Sequence, residues 1–96
     1  MKVTIATRPS ILNVRTQAND VEQRESYLVS SDDYVWFVSK GYKGWDCWEF
    51  QTGLFLAHGT SRKQAIDAAR TRVDSKGPLQ YLKAIGDRIA EFGKLN

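Results

Sequence analysis

Cysteine, histidine and long apolar runs are scarce in this chain of 96 residues. Cys47 is the only cysteine, so the chain cannot form an internal disulfide, and His58 is the only histidine, which leaves too few ligands for a structural zinc site. The longest apolar runs are about five residues, too short for a transmembrane helix or a secretory signal. We therefore expect an intracellular protein in a reducing environment.

Motifs that would identify a reaction are also missing. Residues 41–44 (GYKG) form a turn that no helix follows, so they are not a phosphate-binding loop. Asp32 and Asp33 have no further carboxylates spaced to help them hold a cation. Cys47 and His58 fall opposite each other in the predicted strand pairing, but a strand interior offers such a pair neither an orienting group nor an oxyanion site. We expect no enzyme, no metal and no cofactor.

The composition is that of an ordinary globular protein, because 42% of the residues are hydrophobic and 26% are charged. This balance excludes a disordered chain and allows a core without disulfides. The length suits a single domain over residues 1–96. Residues 1–58 are predicted to be mainly β, and residues 60–94 to form two helices.

Short runs of β-branched and aromatic residues alternate with turn sequences in the first part of the chain. Residues 2–7 and 11–16 are typical of two short strands, or of one strand with an irregular lead, and the polar residues 17–25 are typical of a loop. Four further runs are separated by turns: 26–31, 34–40, 45–51 and 54–58. The pattern predicts an antiparallel meander of about four to five strands in an α+β fold whose two helices pack on one face.

The helices follow the strands. Ser61 and Gln64 have the spacing of a capping box, and Gly77 follows the last residue of the first helix. The apolar positions of this helix are few and mostly alanine, which suits close packing on a sheet.

Residues 78–93 predict the second helix, with Pro78 at its first position and Gly93 at its end. Gly86 lowers the stability of this helix by roughly 1 kcal/mol relative to alanine. Apolar side chains recur along it at intervals of three and four residues: Leu79, Leu82, Ile85, Ile89 and Phe92.

The turn lengths predict the strand pairing: Phe37 pairs with Leu28 and with Trp48, and Trp48 pairs with Ala57. This register sorts the side chains of the sheet onto two faces. The first face is continuous and apolar, and we expect the helices to pack on it. It consists of Leu28, Val35, Phe37, Trp48, Phe50, Phe55 and Ala57. The second face is richer in apolar groups than a half-exposed sheet should be, so it needs a cover from this chain, from a second copy or from a partner. It carries Tyr27, Val29, Tyr34, Trp36, Val38, Trp45, Cys47, Leu54 and Leu56.

Charge is distributed unevenly, although the formal net charge is only +3. Residues 19–33 carry five acidic side chains and one basic one, whereas residues 60–76 carry five basic and two acidic ones. Such blocks give a polarised surface that can orient a charged partner.

Residues 44–73 (GWDCWEFQTGLFLAHGTSRKQAIDAARTRV) resemble a pattern of small phage and prophage proteins, in which a tryptophan-bearing hairpin leads through Gly-Thr or Gly-Ser into an alanine-rich helix. In size and in element order the chain is similar to anti-CRISPR proteins, which dock on a CRISPR effector and block it without catalysis. It also resembles the amino-terminal arm-binding domain of tyrosine recombinases, in which a three-stranded sheet reads DNA. That domain has no counterpart to residues 78–93.

With this resemblance, the aromatic face and the polarised charge predict a non-enzymatic phage or mobile-element protein that inhibits a host defence complex. It would act in the cytoplasm of a bacterial host cell, as a monomer or homodimer, on a host protein or ribonucleoprotein, without a membrane. The predicted partner contacts are Tyr34, Trp36, Trp45, Asp20, Glu22, Glu25, Asp32 and Asp33. The alternative is a nucleic-acid-binding accessory domain that uses a basic helix and an aromatic sheet face. Its predicted contacts are Lys40, Lys43, Arg62, Lys63, Arg70 and Arg72.

Overall fold

The computed structural model describes residues 3–18 and 20–96 as one six-stranded antiparallel sheet and two helices. In chain order the elements are β1 (Thr4–Ile5), β2 (Ser10–Arg15), β3 (Val21–Ser30), β4 (Val35–Gly41), β5 (Gly44–Glu49), β6 (Phe55–Gly59), α1 (Arg62–Lys76) and α2 (Pro78–Phe92). The strands lie in the order β1-β3-β4-β5-β6, and β2 also pairs with β3. The predicted α+β meander followed by two helices is confirmed, with six strands rather than four or five.

β3 begins earlier than the sequence suggests. Its residues 21–25, predicted as part of a loop, pair with β2, and the Thr16 backbone nitrogen donates to the Asp20 carbonyl oxygen at 2.8 Å to close the turn. The side chains of this segment are mostly exposed on both sides, so no apolar alternation marks it as a strand. The first residue of the predicted strand 2–7, and Asn19 of the predicted loop, lie outside the described residues.

The hairpin of β2 and β3 folds over the sheet. β1 and β2 pair with one edge of β3, and β4 pairs with its other edge. Ser26 of β3 accordingly pairs with both Ser10 of β2 and Ser39 of β4. Val14 of this hairpin packs on Phe37 and Trp48 in a buried cluster. The sheet is therefore curled, and its own first hairpin covers part of one face.

The core between sheet and helices lies on the second predicted face. Val3, Ile5 and Tyr81 pack at its margin. Its buried side chains are Val29, Trp36, Val38, Cys47, Leu56, Ala65, Ile66 and Ala69. The expectation that the helices cover the face of Phe37 and Trp48 is wrong, and the cover of the second face comes from this chain itself.

The path from β6 into α1 explains which face the helices cover. Only Thr60 and Ser61 separate the two elements, so α1 must turn back at once over the sheet. A Cβ atom at Gly59 would lie 2.3 Å from the backbone nitrogen of Ala65, which makes glycine necessary at this close approach. Ala65 and Ala69 are fully buried, as the predicted small stripe requires. Because both faces of the sheet are apolar, composition alone did not distinguish them.

The C-terminal residues help to close the other face with hydrogen bonds, beside the end of α2, where the Arg15 guanidinium lies over the Phe92 ring. The Leu95 backbone nitrogen donates to the Gln51 carbonyl oxygen at 2.7 Å. The Asn96 side-chain nitrogen donates to the carbonyl oxygens of Asn13 and Phe50 at 2.9 and 2.8 Å, and its side-chain oxygen accepts from the Asn13 backbone nitrogen at 2.8 Å. These contacts tie β2 to the residues that follow β5.

β5 and β6 pair with a bulge. Cys47 pairs with Ala57 and Trp48 with Phe55, so Leu56 is an extra residue on β6. The predicted pairing of Trp48 with Ala57 is wrong, because the connection between the two strands is longer than the two-residue turn that the sequence suggests. The bulge lets both Leu56 and Ala57 contact the core under α1.

Both helices begin and end where the sequence predicts. The Ser61 hydroxyl oxygen accepts a hydrogen bond from the Gln64 backbone nitrogen at 3.1 Å. Gly77 and Gly93 follow the two helices with φ angles of 94° and 78°, a region that favours glycine. In α2, however, only Ile85 of the apolar stripe is buried.

Candidate functional site

The loop between β4 and β5 projects an aromatic ring into solvent. Gly41 pairs with Gly44, which leaves Tyr42 and Lys43 as the two loop residues. Tyr42 is 83% exposed, and the Lys43 ammonium nitrogen lies 5.3 Å from the centre of its ring. The φ angle of Lys43 is 56°, which the tight turn imposes. A tyrosine exposed to this degree contributes little to the core, so its side chain is available for a partner.

The start of α1 lies against this hairpin. A Cβ atom at Gly44 would fall 2.2 Å from the Gly59 carbonyl oxygen, so the hairpin and the segment leading into α1 are in close contact. Arg62 places its guanidinium carbon 5.4 Å from the centre of the Trp45 ring and 5.3 Å from that of Tyr27. These cation–π contacts fix the position of Arg62 beside the hairpin.

Two elements thus contribute to one positively charged surface, which we call the basic tip. The Lys40 ammonium nitrogen is 5.3 Å from the Trp45 ring centre, so Trp45 contacts cations from both β4 and α1. Lys63 follows Arg62 and is also exposed. The basic tip consists of Lys40, Tyr42, Lys43, Trp45, Arg62 and Lys63.

The nearby carboxylates neutralise little of this charge. An Asp46 carboxylate oxygen lies 2.8 Å from the His58 ring nitrogen Nδ1, and the other lies 3.7 Å from the Arg24 guanidinium. Asp67 pairs with Lys63 at 3.6 Å in an exposed geometry, which is a weak interaction in water. The first turn of α1 has no acidic residue, so the positive end of the helix dipole adds to the field of the basic tip.

The other two predicted nucleic-acid contacts lie elsewhere. Arg72 donates from Nη1 to the Leu56 carbonyl oxygen at 2.8 Å and so holds α1 against β6. Arg70 lines a groove of about 400 Å³ between α1 and α2, together with Asp33 and Tyr34. The structure therefore brings Lys40 and Arg62 together on Trp45. Lys43 lies in the adjoining loop, Lys63 follows Arg62 in the first turn of α1, and Arg70 and Arg72 lie further along α1.

The predicted aromatic anchors do not form an exposed patch. Trp36 is 1% exposed and donates from Nε1 to the Tyr81 hydroxyl oxygen at 2.8 Å, so its assignment as a partner contact is wrong. Tyr34 is half-buried and stacks on Trp36 with ring centres 3.6 Å apart. Trp45 is half-buried beside Arg62. All three rings pack on or within the core under the helices.

The predicted acidic contacts are exposed but divided between two places. Asp20, Glu22 and Glu25 belong to the β2–β3 hairpin, whereas Asp32 and Asp33 form the β3–β4 turn. Asp20 and Glu22 lie beside the first residue of β3, Glu25 lies midway along this ten-residue strand, and Asp32 and Asp33 follow its last residue. They do not form one acidic surface.

Cys47 and His58 are not a reactive pair. The bulge places Cys47 opposite Ala57 and His58 opposite Asp46, so the predicted pairing of the two residues is wrong. Cys47 is fully buried, and burial raises the pKa of its thiol from 9.0 to about 12. The thiolate that a nucleophile requires is therefore disfavoured at neutral pH.

Sequence reasoning missed two members of this environment. Tyr42 lies in a turn segment that was interpreted only as a connection, although an aromatic residue at a hairpin tip is itself a signal of an exposed ring. Tyr27 was assigned to the second face, but its contact with Arg62 depends on how α1 crosses the sheet. No local pattern in the sequence carries that information.

Comparisons with protein-family models, with curated proteins and with solved structures found no match to this chain. Within residues 3–18 and 20–96, His, Cys, Asp and Glu side chains form no group of three or more that could hold a metal ion. In the same residues, neither helix has the length and the apolar content needed to cross a membrane. The functional proposal therefore depends on the geometry of the basic tip.

Proposed function

We propose that this protein is a non-enzymatic nucleic-acid-binding protein whose contact surface is the basic tip. One observation carries the proposal: Tyr42 is 83% exposed at a hairpin end where cationic side chains from two elements converge. Lysine and arginine supply affinity for phosphates, and an exposed aromatic ring can stack on an unpaired base. The arrangement combines both functions within one small surface.

The contacts of the two rings define their separate roles. Trp45 already contacts Lys40, Arg62 and Tyr27, so it positions the cations and has little free surface for a base. Tyr42 contacts Lys43 and is otherwise largely open to solvent. We therefore expect the protein to prefer single-stranded nucleic acid over duplex, because only an unstacked base can reach the Tyr42 ring.

The number of cations sets the expected strength. At most four phosphates can be neutralised by Lys40, Lys43, Arg62 and Lys63, so the logarithm of the binding constant should fall with the logarithm of salt concentration with a slope of about −3 for single strands. Such binding is weak and depends mostly on the backbone. Sequence preference should be small, since a stacking ring reads no base edge.

The experiment is a fluorescence anisotropy titration of a labelled single strand and of its duplex, repeated at several salt concentrations. The double variant Lys43→Ala/Lys63→Ala should make the slope shallower by roughly 1.5, because two phosphate contacts are lost. The matched control is Lys76→Ala/Lys94→Ala, which removes the same charge from exposed positions outside the basic tip. It should leave the slope nearly unchanged.

A third variant tests the ring itself. Tyr42→Ala should weaken single-strand binding about fivefold or more and duplex binding much less, since a stacked base contributes roughly 1–3 kcal/mol. Absence of binding at low salt, or equal losses in the two double variants, would contradict the proposal. In the second case the net charge alone would explain the affinity.

The second candidate is the inhibitory docking on a host defence complex that the anti-CRISPR resemblance predicts. What supports it is the exposure of the five predicted acidic side chains, in particular Asp32 and Asp33 at one end of the sheet. A short acidic turn can contact the basic nucleic-acid channel of an effector complex. The test is whether the purified protein lowers target-DNA binding by a purified CRISPR effector, and whether Asp32→Asn/Asp33→Asn removes that effect while the basic-tip variants retain it.

A further inference from the structure

One face of α2 is exposed to solvent and carries side chains in a regular pattern. Tyr81, Ile85 and Ile89 are the inward side of this helix, and they are buried or half-buried. The exposed positions recur at intervals of three and four residues, which is the spacing of a helix-packing stripe. They are Leu79, Leu82, Lys83, Gly86, Asp87 and Ala90.

The side chains in the first half of this exposed stripe are large, and those in the second half are small. Leu79 and Leu82 are 83% and 59% exposed, which is unusual for two neighbouring leucines on one helix. One and two turns later the stripe continues with Gly86 and Ala90, which have almost no side chain. Two bulky positions are thus followed by two positions where another helix can approach closely.

Packing among the described residues does not require a glycine at position 86. Apart from its two chain neighbours and the nearby backbone of α2, a Cβ atom there would meet no described atom within 4 Å, and the residue lies inside a helix that alanine would stabilise. A close crossing by a second helix is a physical reason for a glycine at an exposed helical position.

We propose that a second copy of this chain packs its α2 antiparallel against α2, in a symmetric homodimer. An antiparallel pair centred near residue 84 sets Leu82 against the partner's Gly86 and Leu79 against the partner's Ala90. Each large side chain then faces a small one, and symmetry makes every such contact twice. The stripe is complementary to itself, and this is why the occupant is a second copy rather than an unrelated apolar helix.

The charges beside the stripe support the same orientation. Lys83 and Asp87 are exposed, and neither forms an ion pair with another described residue. In the antiparallel pair Lys83 of each copy lies near the partner's Asp87. In a parallel pair with two-fold symmetry each residue lies level with its own copy, so Lys83 would not meet the partner's Asp87. The sizes of the side chains and their charges therefore favour the same antiparallel register.

Sedimentation velocity over a range of protein concentrations tests the dimer. A helix pair about 22 Å long gives a small interface, so we expect a reversible dimer that dissociates on dilution. Leu82→Asp should weaken association about tenfold or more while the circular dichroism spectrum stays unchanged, because the leucine is exposed in the single chain. A chain that stays monomeric at every concentration would overturn the proposal.

Gly86→Ala separates association from folding. Alanine should raise the melting temperature of the dilute monomer by roughly 4 °C, because it favours the helix, and should weaken the dimer because a methyl group fills the gap under the partner's Leu82. If the dimer is unchanged or strengthened, Gly86 does not lie in the interface and the proposed register is wrong.

Charge reversal tests the orientation. Lys83→Asp or Asp87→Lys alone should each weaken the dimer, and the two together should restore it, because the pair is then reversed in both copies. Lys76→Asp on α1 is the control with the same charge change outside the proposed interface. A dimer that none of these changes affects would place the interface elsewhere and overturn the proposal.

Discussion

The two faces of the sheet are both apolar, yet they are closed by different chemistry. The face of Trp36 is covered by a helix whose fully buried Ala65 and Ala69 allow close approach. The face of Trp48 is covered by a folded-over hairpin and by the hydrogen bonds of the C-terminal residues. The first closure depends on removing apolar surface from water, and the second depends in part on satisfied polar groups.

The two most deeply buried tryptophans, one on each face, have different neighbours. Over the Trp48 ring lies the Arg24 guanidinium, 5.4 Å from the ring centre, and the indole nitrogen donates to the Ser39 hydroxyl oxygen at 2.9 Å. Trp36 has a tyrosine on its face and another at its nitrogen. A ring at a solvent-facing margin can be covered by a charged side chain that keeps its head group in water, whereas a ring beneath a helix cannot.

The largest effect is expected when one aromatic side chain on each face is truncated to alanine. Trp36→Ala should lower the free energy of unfolding by about 3–5 kcal/mol, because it leaves a cavity beneath the helices. Phe55→Ala on the other face should cost only roughly 1–2 kcal/mol, because Phe55 is already 39% exposed. Urea denaturation measures both, and equal losses would mean that the two faces contribute alike.

The second-largest expected effect is a loss of folding stability at alkaline pH, caused by a buried residue of the helix-covered face. Burial raises the pKa of Cys47 from 9.0 to about 12, so between these values the unfolded chain binds fewer protons than the folded one and stability falls as pH rises. The slope should reach about 1.4 kcal/mol per pH unit. Below pH 9 this group should have no such effect.

Thermal unfolding at a series of pH values measures this slope. Cys47→Ala should abolish it between pH 9 and 10 and leave a residual slope above pH 10, because burial raises the pKa of Tyr81 from 10.0 to about 12. An unchanged slope in the Cys47→Ala protein would show that the thiol ionises in the folded state as it does in the unfolded one.

The smallest effect is expected from the hydrogen bonds by which the C-terminal residues help to cover the face of Trp48. Asn96→Ala should lower stability by about 1 kcal/mol, because the hydrogen bonds to Asn13 and Phe50 are exchanged for bonds to water. Asn96→Asp should cost more, since its carboxylate would face two carbonyl oxygens. Hydrogen exchange should accelerate at the Asn13 amide and not in α1, and uniform acceleration would contradict a local role.

Much of the sheet was predictable because strand pairing across short turns is a local property. Phe37 pairs with Leu28 and with Trp48 as the turn lengths predicted. The prediction failed at β6, where the longer connection changes the register. It failed also at residues 21–25, where pairing with β2 makes a strand from a polar segment without alternation.

The candidate site was predictable only in part. Lys40 and Lys43 flank one turn, so their proximity follows from the hairpin. Arg62 joins them only because α1 crosses the sheet beside Trp45, whereas Arg70 lies about two turns further along the same helix and lines the groove between the helices. Sequence alone gives a list of cations, whereas their grouping depends on where a helix lies.

The amino-acid sequence by itself determined the order of the elements, the caps of the helices and the sorting of side chains onto two faces from β4 to β5, because each of these depends on neighbours a few residues apart. Only the tertiary structure decided which face the helices cover, since both faces are apolar and the short path from β6 through Gly59 selects one of them. That choice buries Trp36, assembles the basic tip and leaves Leu79 and Leu82 in water. Contacts between distant segments decided it, and no local pattern records them.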